Sequence, residues 1–309
     1  MRHEITPETL EEFNKHYYSL HDALIEQTEI RIVAERNNQC DFEITLLAKD
    51  AAAEQSDRWT TLVLHLRNVK RFDLIKGRNY DFSVILHAGL ALAKDHVYLG
   101  LFDDSQLLTS KDPFWNDPFR TWLSRSPGKQ HTVVAEKCFW ETIPHDYNKE
   151  QARLNIPHRV TDFDLITDDA RCELSPDTLA AFKNIFGSMR KSRIRTITIG
   201  RRGRPTWGLN ACVLIAVNES GTGFDPMQGT IMFEVQNMKR LDLTHWVRGS
   251  KILDVDEVNL AVFLGDSYLS FSGRMGPAAF EHPESFDAMS GSGSKKVLLV
   301  GEKCWWRTV

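Results

Sequence analysis

Apolar residues take a helical spacing at two places in this chain of 309 residues. In ITPETLEEFNKHYY, Leu10, Phe13 and Tyr17 mark one face at i, i+3, i+7; in LSPDTLAAFKNIFG, Leu179, Phe182 and Phe186 do the same. Each segment opens with a helix start signal. Thr6-Pro7-Glu8 and Ser175-Pro176-Asp177 supply a hydroxyl N-cap, a proline at the first helical position and an acid at the positive end of the helix. Gly187 offers a stop for the second. Downstream the period changes to two. IRIVAE, FEITLLAK, WTTLVLHLRNV, YDFSVILHAGLALA, HVYLGLF and HTVVAEKCFW alternate apolar with polar residues or run apolar, and are rich in β-branched side chains. RTITIG, ACVLIAV, GTIMFEVQNMKRLDL, VNLAVFL, YLSFSG and KKVLLVGEKCWW then repeat the pattern.

The repetition reaches individual residues. TLVLHLRNVKRFDL (61–74) and TIMFEVQNMKRLDL (230–243) share six identities at an offset of 169, and the two helical segments align at the same offset. AEKCFWETI (135–143) aligns with GEKCWWRTV (301–309) at an offset of 166. One order of blocks, with small insertions between them, implies a duplicated chain. The expectation is a mainly β, α+β fold of two tandem homologous domains, residues 1–143 and 174–309, joined by an acidic connector, 144–173. Each domain should hold one helix and about six largely antiparallel strands in a sandwich or open barrel. Long insertions, 106–129 and 274–296, separate the last two strands of each copy, and loops of that length carry function or move.

Charge divides along the chain. Residues 1–143 hold 17 Lys/Arg against 22 Asp/Glu, whereas residues 174–309 hold 17 against 13. MRKSRIRTITIGRRGRP (189–205) concentrates Arg190, Lys191, Arg193, Arg195, Arg201, Arg202 and Arg204, and no acid occurs between Thr178 and Asn218. Such a field attracts an acidic surface, an acidic stretch of the same chain, or a phosphate backbone. The overall charge of −4 and the lack of an aromatic platform in this stretch favour an acidic protein over nucleic acid. Phe114, Trp115, Phe119 and Trp122 in DPFWNDPFRTW either plug the end of a sheet or form an interaction patch.

Catalytic signatures are missing from the sequence. There is no GxxxxGK[ST], HExxH or CxxC, and no G-x-S-x-G before a helix, so no cofactor or metal is expected. Five scattered cysteines argue for reduced thiols, and His65 and His87, inside strand patterns, read as hydrogen-bonded or exposed. His21-Asp22 is the most suggestive polar pair, but Arg190-Lys191 replaces it in the second copy, and neighbours on a strand point to opposite faces. A small-ligand or enzymatic cavity near His21 and Asp22 is therefore the alternative to a binding protein. No apolar run is long enough to span a bilayer and the N-terminus has no signal-peptide pattern, which places the chain in the cytoplasm, away from membranes.

The helix ending in SLHDALI (Leu20–Ile25), the segment Leu64–Leu74 and the closing strand around Cys138 together resemble the small immunity proteins of bacterial polymorphic toxin systems. That resemblance implies a bacterial, cytosolic protein without enzymatic activity, which binds a cognate toxin and blocks it by occlusion.

Overall fold

The computed structural model describes residues 2–17, 20, 23–33, 39–50, 59–76, 84–85, 87–93, 95–102, 131–143, 171–186, 189, 192–201, 209–216, 230–246, 258–271, 275, 277–292 and 295–309. It is mainly β and antiparallel. The chain divides into two compact units, the first within residues 1–159 and the second over 160–309, with 29–38 and 76–78 grouped with the second.

The first unit contains β1 (His3–Glu4), α1 (Pro7–His16), β2 (Ala23–Val33), β3 (Gln39–Lys49), β4 (Trp59–Lys76), β5 (Val84–Ile85), β6 (His87–Ala93), β7 (His96–Phe102) and β8 (His131–Ile143). Its strand order is β2-β3-β4-β8-β7-β6, with β1 added beside β8. The second unit contains β9 (Cys172–Glu173), α2 (Pro176–Phe186), β10 (Arg193–Arg201), β11 (Leu209–Ala216), β12 (Thr230–Trp246), β13 (Asn259–Phe263), β14 (Asp266–Ser270), α3 (Pro283–Met289), β15 (Gly291–Ser292) and β16 (Lys295–Thr308). Its order is β10-β11-β12-β16-β14-β13, with β9 beside β16. The sheet is not closed. In the first unit a ladder of two pairs, Ala23↔Ile85 and Leu24↔Val84, joins β2 to β5, and β6 follows almost at once in the chain.

Registers agree between the units residue by residue. Leu64 faces Trp140 and Phe233 faces Trp306. Tyr98 faces Val134 and Tyr268 faces Val300. A β-bulge falls between Val69 and Arg71, and another between Met238 and Arg240. Just ahead of each stands an asparagine in the left-handed region, Asn68 at φ 52° and Asn237 at φ 47°. Asparagine tolerates this conformation better than other residues with a side chain. The carboxylate of Asp41 accepts the Asn68 backbone N–H at 3.0 Å, and the amide oxygen of Asn210 accepts that of Asn237 at the same distance. Neither N–H is left unpaired where the chain bends.

The helix starts work as read, with one added device. Thr6 caps α1, and the hydroxyl of Thr9 accepts its backbone N–H at 2.9 Å while donating to the Glu4 carbonyl at 2.7 Å. Thr178 does the same for Ser175 and Glu173, at 2.8 and 2.6 Å. A threonine thus fills the place of the usual glutamate in a capping box and also fastens the short strand ahead of the helix.

Each helix lays its apolar face on the closing strand. Phe13, Tyr17 and Trp140 form a triangle of rings with centroids 5.0, 5.7 and 5.6 Å apart. Phe182, Phe186 and Trp306 repeat it at 4.9, 5.2 and 5.5 Å. Phe13, Tyr17 and Phe182 are buried, above a floor of Leu62, Leu64, Leu66 and Cys138 in one unit and Ile231, Phe233, Val235 and Cys304 in the other. Burial pushes the thiols of Cys40, Cys138 and Cys304 far up, out of reach of ordinary titration. Cys212 is buried too, and Cys172 alone is exposed.

Part of the second insertion is ordered. Phe286 of α3 is fully buried among Phe263, Tyr268 and Phe280. Asp287 binds Arg240 and Lys296, both at 2.8 Å. Burial raises the Asp287 carboxyl, but the Lys296 hydrogen bond and the Arg240 charge outweigh it and hold the group below its ordinary value.

Phe13→Ala and Phe182→Ala should each remove about 3–5 kcal/mol of stability, read from urea midpoints. A depressed carboxyl adds stability that is fully present above its unfolded value and is lost as pH falls through its folded value. Asp287→Asn should therefore lower stability at neutral pH and flatten its acid dependence below about pH 4; an unchanged acid limb in urea titrations would overturn this.

Candidate functional site

Strand registry places a polar row across the middle of the first unit. Glu43 of β3 stands directly opposite His65 of β4, and Glu141 of β8 lies diagonally across, paired with Val63. The His65 ring is buried, with Nδ1 2.8 Å from a Glu43 oxygen and Nε2 3.0 Å from a Glu141 oxygen. Ionised carboxylates only accept hydrogen bonds, so a doubly protonated ring satisfies both contacts, whereas a neutral ring turns a lone pair toward one of them. β1 brings Arg2 within 3.5 Å of Glu141. Burial raises the Glu141 carboxyl, yet the hydrogen bonds from His65 and Arg2 hold it below its ordinary value.

The second unit fills the same places with other chemistry. Glu234 takes the position of His65, opposite Cys212, and is buried. It accepts from Arg171, which takes the position of Arg2, at 3.2 Å, and from the Gln236 amide at 3.1 Å. The Arg171 guanidinium lies 4.5 Å from the centre of the Trp305 ring. Arg307 stands where Glu141 does. One row has an imidazole between two carboxyl groups; the other has a carboxyl group at its centre.

Chemically, the first row is a lock between strands. Both nitrogens of His65 face carboxylates, so neither is left to take a proton from a substrate. Among the described residues, no group of three His, Cys, Asp or Glu side chains is arranged to hold a metal ion.

The basic stretch is partly visible. Arg193 and Arg195 are exposed on β10, and the ladder with β11 is irregular between Ile194 and Thr196, where a bulge re-aims the chain. Leu24 and Glu26 of β2, the matching positions of the first unit, are half-buried. Arg201 ends β10. Arg190, Lys191, Arg202, Arg204, Phe114, Trp115, Phe119, Trp122, His21 and Asp22 lie outside the described residues.

Reading the sequence missed the strongest polar contacts. His65 is hydrogen-bonded, one of the two states its strand pattern allows, whereas no pattern in the sequence marks Glu43, Glu141, Arg2 or Glu234 as its partners and counterpart. The signal is the alternation itself: His65 and Glu234 interrupt apolar stretches of β4 and β12 at matching positions. His16 at the end of α1 lies 2.9 Å from Asp50, where the chain leaves β3.

No protein-family model, curated protein or solved structure matches this chain significantly.

His65→Leu takes the imidazole away from two partly buried carboxyl groups and should cost about 2–4 kcal/mol. Adding Glu43→Gln and Glu141→Gln should recover much of that loss. Guanidinium unfolding of the parent chain, His65→Leu and the triple variant checks this, and an undisturbed His65→Leu protein would show that the row holds nothing together.

Proposed function

We propose that this chain is a non-enzymatic bacterial binding protein, built by copying one helix-and-sheet unit, whose second copy presents a basic surface to an acidic protein partner. The carrying observation is the contrast between matched positions. Residues that hold the scaffold repeat, from Thr9 and Thr178 to Trp140 and Trp306, while Leu24 and Glu26 give way to exposed Arg193 and Arg195. The change replaces half-buried apolar and acidic side chains with two exposed arginines. It gives the surface planar, permanently charged donors suited to carboxylates.

Agreement of registers, bulges and capping threonines supports the duplication. The short ladder from Leu24 to Val84 supports an open barrel in the first unit. The likeness of Leu20–Ile25, Leu64–Leu74 and the Cys138 strand to toxin-immunity proteins gives the binding reading its setting: a bacterial cytosol, with an acidic toxin as the partner. Inhibition there is steric, and charge speeds the encounter.

Arg193→Glu with Arg195→Glu should weaken partner capture at least tenfold at low salt without moving the urea midpoint. Lys15→Glu, on the exposed side of α1, should leave capture unchanged. Pull-down from the native bacterial lysate at low and high ionic strength, followed by titration of the recovered partner, measures both effects. Surface attraction of this kind is screened within about 8–10 Å at physiological salt, so capture should also fall as salt rises. Recovery of no partner at either salt, or equal binding by the charge-reversed variant, would overturn the proposal.

A further inference from the structure

We draw no further inference here: the strongest candidate, the outward face of α2, where Ala180, Ala181, Asn184 and the exposed Ile185 stand at the positions of Glu11, Glu12, Lys15 and His16 in α1, is a stripe of small residues, and nothing in the structure shows what covers it.

Discussion

Each unit depends on the seam between its helix and its closing strand. The helix is short, ten residues in one case and eleven in the other, and helices of that length are marginal in water without tertiary support. Three aromatic rings supply it, with edge-to-face geometry where the closing tryptophan meets the helix. The backbone completes the seam. Ile5 donates to the Cys138 carbonyl at 2.8 Å and Leu174 to the Cys304 carbonyl at 2.7 Å, so the short strand before each helix is fastened to the strand that carries the tryptophan. Helix, leading strand and closing strand are thereby fastened together.

The polar rows show that matching backbone positions in the two units host different chemistry. A buried ionised group is tolerated only beside a partner, so a glutamate at position 234 could not stand where the first unit has His65 without a new neighbour. Arg171 is that neighbour; its counterpart Arg2 serves Glu141 instead. The ladder position of the slot is common to both units, while the side chain at its centre is a histidine in one and a glutamate in the other.

Much of the scaffold was legible because it rests on local rules. HVYLGLF coincides with β7, and the Thr6-Pro7 and Ser175-Pro176 starts mark α1 and α2. Phe13 and Phe182 face the core as the helical spacing requires, with Leu10 and Leu179 only half-buried at the rim. Two-residue strands were not legible: β1 and β9 exist because a partner strand is present, and their sequences carry no periodicity of their own. Nor could the polar rows be assembled beforehand. Glu43, His65 and Glu141 come from three strands separated by up to 98 residues, and only the ladder registers set them side by side. The basic segment was legible as charge, but which arginines face outward depends on the irregularity at Ile194–Thr196.

The distribution of the thiols gives the molecule a built-in reporter. Cys40 and Cys138 lie in the floor of the first unit and Cys304 in that of the second, while Cys212 packs with Met232 on the opposite face of its strand, all withheld from solvent; Cys172 alone is in reach of a reagent. An alkylating probe therefore meets one sulfur in the intact fold and gains others only as the chain opens. Peptide mapping of the modified cysteines distinguishes breathing of one half from breathing of the other, without a dye or an engineered residue.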